Sequence, residues 1–187
     1  MPAKTELSFT LQWIVATFSG FLLSLLLIEI GEKSDIGVLQ AIIGGLTVAI
    51  SQSLILRQPM LSLKWVLSTI LGWVVITAMG VGAVGWIVPT TQQLPTRILS
   101  GLIYGTIGGF GIGFAQWLAI YQPVPLAWRW IFITAASWAV AIPIGSAVGV
   151  ILRQFTQLFL GEVVGLAITW LLVAVLTGIN AYKILFK

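Results

Sequence analysis

The sequence predicts an all-α integral membrane protein: six transmembrane helices forming three tandem, parallel two-helix repeats in a pseudo-threefold bundle. Three observations carry this. First, 59% of the 187 residues are hydrophobic and only 14 are charged, nine Lys or Arg and five Asp or Glu, where a soluble domain carries about a quarter charged. Second, the charges are clustered and leave six charge-free runs, 7–28, 36–56, 65–96, 98–128, 130–152 and 163–182. A helix needs about 20 apolar residues to cross the hydrocarbon core, and every run reaches that length. Third, the chain resembles itself at a shift of 64 residues.

The elements follow in order. Run 7–28 has one Lys and one Glu before it and no small-x-small cleavage site after it, so it reads as a retained first helix and not a removed signal. Helix 2 fills 36–56 and is closed by Pro59 after Arg57-Gln58. Helix 3 lies in the third run, with Pro89 and Pro95 bracketing the Thr/Gln-rich connection behind it. Pro123 and Pro125 close helix 4. Pro143 falls within helix 5 and should kink it, which neighbours tolerate by bonding the freed carbonyl. No connection exceeds roughly ten residues, which makes residues 1–187 a single transmembrane domain.

The connections fall into two sets that must face opposite sides. The N-terminus, 57–64, 121–129 and the C-terminal end hold Lys4, Arg57, Lys64, Arg129, Lys183 and Lys187 against Glu6. The connections 29–35, 89–97 and 153–162 hold Lys33, Arg97 and Arg153 with Glu29, Glu32, Asp35 and Glu162. Six cations against three put both termini in the cytoplasm of a bacterial plasma membrane, or of a thylakoid if the source is cyanobacterial.

The internal match runs from 37–58 onto 101–122. Gly37 meets Gly101, Ile43-Gly44-Gly45 meets Ile107-Gly108-Gly109, Gln52 meets Gln116, and Pro59 meets Pro123. A second shift carries Gly101 to Gly165 and Gln116 to Asn180. On the odd helices Trp13 and Gly20, Trp73 and Gly80, and Trp138 and Gly145 share a spacing of seven, and Trp65 and Trp130 lie eight residues before Trp73 and Trp138. Two-helix units return to their starting side, so copies at about 8–60, 65–124 and 130–187 share one orientation, related by an axis along the membrane normal.

Small residues recur at spacing four: Gly101, Gly105, Gly109 and Gly113 in helix 4; Gly37, Ala41, Gly45 and Ala49 in helix 2; Ser137, Ala141, Gly145 and Gly149 in helix 5; Ala16, Gly20 and Ser24 in helix 1. Lipid gives helices no hydrophobic reason to associate, so close approach through small residues is the leading reading. The other is backbone lining a narrow ligand path. Gln52 lies about 60° round its helix from Gly37, within a stripe spanning about 120°, and Gln116 does the same. With Asn180 in the matching place, the three amides form a candidate central polar set. They bond helix to helix, or they ring an ion or polar solute.

Trp117, Trp128 and Trp130 sit near the cytoplasmic boundary and read as an aromatic belt, with Arg57 snorkelling there. The recurring Trp13, Trp73 and Trp138 read as large side chains packed beside small ones. Glu29 and Glu162 are the acids closest to hydrocarbon, at helix ends that water reaches. There is no Cys and no His, which removes disulfides, thiolate metal sites, Cys nucleophiles and the usual neutral-pH base. No metal-ligand spacing, phosphate loop or nucleophile with a base occurs. Nine scattered cations make no basic stripe for nucleic acid. The reading is of no enzyme, no cofactor and no metal.

Gly113-Phe114-Ala115-Gln116-Trp117-Leu118 and Ser137-Trp138, with Gly145 and Gly149 beyond, resemble a group of small multipass bacterial membrane proteins, cyanobacterial ones especially. Those have repeated Gly-rich helical hairpins ending in a Gln-Trp-Leu signature followed by Arg. Here Ser53 stands for the Trp in the first copy, and Tyr121 for the Arg in the second. Mitochondrial carriers also use three two-helix repeats, but their acidic, proline-containing motif is missing. The resembled group has no assigned activity, so the resemblance implies the membrane class and no mechanism. Two functions remain: a structural, assembly or accessory component packed in the bilayer beside other membrane subunits, and a small-solute or ion conduit using Gln52, Gln116 and Asn180. The scarcity of ionisable groups favours the first.

Overall fold

The computed structural model describes residues 2–32, 36–56, 59–122 and 124–186. Among them are six helices: α1 (Pro2–Ser24), α2 (Val38–Leu56), α3 (Pro59–Ala78), α4 (Leu94–Ile120), α5 (Arg129–Thr156) and α6 (Leu160–Phe186). Each contains a segment long and apolar enough to cross a membrane. Consecutive helices pack side by side, and α6 packs against α1, so the six close into a ring. Side chains such as Leu54, Leu67, Leu99 and Leu171 face outward, as a hydrocarbon solvent allows, while Trp13, Trp65, Trp73, Trp86, Trp130, Trp138 and Trp170 fill the inside.

The third charge-free run is not all helix. α3 stops at Ala78, and the fifteen residues 79–93 form a connection longer than the roughly ten residues expected. Gly80, Gly82 and Gly85 have φ of +83°, +88° and +97°, and the amides of Val81 and Gly82 both return to the Ile76 carbonyl. The chain therefore turns back, burying Ala83, Val84, Trp86 and Val88. A short β2 (Ile87–Val88) pairs in parallel with β1 (Gly31–Glu32), Gly31 opposite Ile87 and Glu32 opposite Val88. Hydropathy misses this because a buried loop and a spanning helix are equally apolar. Gly80, matched by spacing to packing glycines, has nothing within 4 Å of the place a Cβ would occupy; it terminates α3.

Charged residues that bound the runs also lie inside helices: Lys64 in α3, Arg97 in α4, Glu162 in the first turn of α6. Pro143 stands within an uninterrupted α5. Arg57, Gln58 and Pro123 fall outside the described residues.

The glycine positions differ in what surrounds them. A Cβ on Gly109 would lie 2.9 Å from Ala135 Cα and 2.9 Å from the Thr134 carbonyl oxygen, and one on Gly105 would lie 2.6 Å from the Trp138 carbonyl oxygen. Gly101 faces Ile142 and Pro143, and Gly113 faces Ile131 and Thr134, so these four lie against α5. Gly145 faces Thr169 and Gly165 on α6, and Gly149 faces Glu162; Gly45 faces the Trp73 ring. Gly37 is the exception: it precedes α2, is exposed, and a Cβ there would meet only the Gln40 side chain at 3.4 Å. It packs against no helix.

Gly109→Ala should therefore lower the thermal midpoint of the purified protein, by a cost of about 1–3 kcal/mol for forcing atoms into a filled contact, whereas Gly37→Ala should leave it unchanged. Size-exclusion profiles after graded heating compare the two. Equal midpoints would refute the assignment of α4 to a backbone-close contact with α5.

Candidate functional site

Two polar sites are built into this apolar ring. The first lies inside. Trp13 of α1, Trp65 of α3 and Trp130 of α5 meet edge to face, with centroids 5.7–5.9 Å apart. A second aromatic layer holds Trp73, Trp138 and Trp170 at 5.0–6.2 Å from one another, with Phe21 stacked on Trp170 and Trp86 against Trp73 and Trp170. Between them is a cavity of about 30 Å³, lined by Thr17, Gln52, Thr69, Gln116, Thr134 and Thr177 together with indole rings.

Each buried amide spends both ends on helices other than its own. Gln52 Nε2 donates to Thr17 Oγ1 (3.0 Å), and its Oε1 accepts from Trp65 Nε1 (3.1 Å). Gln116 Nε2 donates to Thr69 Oγ1 (3.1 Å), and its Oε1 accepts from Trp130 Nε1 (2.9 Å). The third place is different. Trp13 Nε1 donates to Thr177 Oγ1 (3.2 Å), whose hydroxyl donates to the Val173 carbonyl (2.7 Å) and does not reach Thr134. Thr134 Oγ1 is buried without a partner among the described residues.

Of the three amides read from the sequence, Gln52 and Gln116 thus share one cavity. Asn180 does not join them: about one turn further along α6, half-buried, it donates to its own helix at the Leu176 carbonyl (2.9 Å). Thr177 is the α6 residue at the cavity. The 64-residue shift misses it because it carries Gln116 to Asn180, three residues past the one that lines the cavity. Trp130, read as belt, is buried and bonded; Trp117 is half-buried between Phe114 and Tyr121, and Trp128 is exposed. A signal for the odd helices was in the sequence: Trp13, Thr17 and Phe21, then Trp65, Thr69 and Trp73, then Trp130, Thr134 and Trp138, each at spacing four. That pattern aligns Trp13 with Trp65 and Trp130, one layer away from its match to Trp73 and Trp138.

The second site lies at the other end, between the 81–91 connection and α4, α5 and α6. Arg97 is 0% exposed and Glu162 3%. They bond bidentately, Nη1 to Oε2 at 2.7 Å and Nη2 to Oε1 at 3.0 Å. Arg97 also donates from Nε to the Thr91 carbonyl (2.5 Å) and from Nη2 to the Pro89 carbonyl (2.8 Å), which ties the re-entrant connection to α4. Arg153, 33% exposed, stands 3.5 Å from Glu162 Oε1. With its amide oxygen turned toward the two guanidinium groups, Gln92 accepts from Arg97 and Arg153 at 3.2 Å each. Gly149 leaves the room Glu162 occupies, since a Cβ there would stand 2.8 Å from Oε2.

Glu162 is therefore not a water-exposed helix-end acid. A buried pair of this kind needs its remaining hydrogen bonds met, and the loop carbonyls take the Arg97 Nε–H and one Nη2 N–H. No single charge in the sequence announced this, because Arg97 and Glu162 are 65 residues apart. Beside the pair a pocket of about 200 Å³ opens, walled by Val84, Val88, Ile142 and Leu166 with Ser146 and Thr169 at its polar edge. No family model, curated protein or solved structure matches the chain.

Thr177→Gln should stabilise the protein by about 1 kcal/mol, since the longer amide keeps the Trp13 bond and supplies Thr134 with the donor it lacks. Gln116→Leu should do the opposite, stranding the Trp130 N–H and the Thr69 hydroxyl for about 1–3 kcal/mol. Titration of helicity with a denaturing detergent measures both. A destabilising Thr177→Gln would contradict the equivalence of Thr177 with the two glutamines.

Arg97→Met or Glu162→Met alone should cost about 3–5 kcal/mol, because each strands a buried charge, while the double variant should recover most of the loss. Two single losses that simply add would place the groups in independent environments.

Proposed function

We propose that the chain is an accessory or assembly component of a membrane complex: a rigid six-helix bundle of three parallel two-helix repeats, both termini cytoplasmic, packed beside other membrane-protein subunits in a bacterial or thylakoid membrane. The observation that carries this is the state of the interior. Three mutually packed indoles fill the axis, and the two buried amides are committed to Trp and Thr partners on neighbouring helices. Amides engaged in this way join helices, which supports glue over a solute-coordinating ring. The repeat reading draws support from the recurring Trp–Gln–Thr bonds and from the small-residue contacts of α4 and α5. An enzyme is not proposed, because a chain with neither Cys nor His lacks the thiol nucleophile and the usual neutral-pH base. Cofactors and metals have no part in this reading.

Reconstituted in liposomes, the protein should pass no ions or small polar solutes, and a folded Gln52→Leu/Gln116→Leu/Thr177→Val variant should behave the same. Wild-type flux that disappears in the folded variant would establish the conduit instead. Orientation is tested with single cysteines at the exposed Gln93 and Gln122, in a chain that has no other cysteine. In intact cells an impermeant thiol reagent should label position 93 and spare 122; the reverse pattern would overturn the assigned topology.

A further inference from the structure

The ion-pair pocket has more than a packing role. We propose that it binds a small monoanionic carboxylate with a compact apolar body. This goes beyond the accessory reading and stands independently of it.

Size sets the first limit. About 200 Å³ exceeds the ~150 Å³ cavity that admits benzene and lies below the roughly 300 Å³ at which pockets for drug-sized ligands begin. One ring or a short chain fits, and a two-chain lipid does not. Lining chemistry sets the second. Val81, Val84, Ile87, Val88, Ile142 and Leu166 give an apolar wall, and hydroxyls of Ser100, Ser146 and Thr169 stand along it. A ligand would therefore be apolar over most of its surface with hydrogen-bonding atoms at one end.

Charge sets the third. Among the described residues Arg97 and Glu162 are the charged ones lining the pocket, and they neutralise each other. Arg153 is shared onto the same carboxylate from 3.5 Å, so the cluster of Arg97, Glu162 and Arg153 carries one positive charge in excess. Water screens Arg153 in part, since it is 33% exposed, and the remaining excess still favours an anion over a neutral ligand. Arg97 Nη1 makes a single hydrogen bond, to Glu162 Oε2, so its second N–H has no partner among the described residues and is available to an acceptor in the pocket. A carboxylate answers both conditions, while its apolar body answers the wall. The pocket also sits over Gly85, whose carbonyl accepts from Trp170 Nε1 at 2.9 Å, so occupancy should alter indole emission.

The test uses the purified full chain in a mild detergent, benzoate as probe and benzyl alcohol as its neutral counterpart, with tryptophan emission and the thermal midpoint as readouts. Benzoate should give a saturable change and bind about tenfold more tightly than the alcohol. Arg153→Gln, which leaves the buried pair intact, should erase that preference while the alcohol's affinity stays the same. Ser146→Trp should abolish binding of both. Should Ser146→Trp not fold, Arg153→Gln alone decides. The proposal is overturned if folded wild type gives no saturable response to benzoate, if benzoate and benzyl alcohol bind equally, or if Arg153→Gln keeps the preference.

Discussion

Inside a bilayer a polar atom has no water to turn to, and the fold of this chain is organised by that constraint. Large indoles fill the interior of this six-helix ring, yet each brings an N–H that must be accepted. The chain answers with acceptors on the adjacent helix: Gln52 for Trp65, Gln116 for Trp130, Thr177 for Trp13. The same bonds fix helix order. Trp65 of α3 is held by α2, Trp130 of α5 by α4, and Trp13 of α1 by α6, so the last of them closes the ring.

The opposite end obeys the same constraint with charge. A re-entrant connection must bond its backbone groups somewhere. The Pro89 and Thr91 carbonyls receive them from Arg97, and the Gly85 carbonyl from Trp170. Burying Arg97 then requires Glu162, and Glu162 requires the space left by Gly149. Trp86 joins this end to α1 through Ser24 Oγ at 2.8 Å, and Ser24 passes the bond to the Phe21 carbonyl. Loop, ion pair and second aromatic layer thus form one connected assembly.

Six spanning helices were legible in the sequence because charge-free runs measure length against hydrocarbon thickness directly. The inward position of Gln52 and Gln116 was legible too, since angular position on a helix follows from counting residues. What escaped was register between helices and everything that depends on it. Asn180 matched Gln116 by number, yet Thr177 lines the cavity, because a shift of three residues along α6 is invisible to a uniform offset. The Arg97–Glu162 pair escaped for a similar reason: two charges at run boundaries read as loop residues until α4 and α6 are seen to begin before them. The fifteen residues after α3 escaped because hydropathy records burial and says nothing of backbone form.

The central claim is that indole-to-amide bonds between neighbouring helices hold the ring, and a double-mutant cycle on Trp130 and Gln116 tests it most directly. Trp130→Phe, Gln116→Leu and the double variant would be compared with wild type by reversible unfolding in mixed micelles. Polar pairs between membrane helices couple by about 0.6 kcal/mol on average and about 1.7 at most. A coupling energy within or above that range is the predicted result. Additive losses, with no coupling between the two positions, would contradict the account.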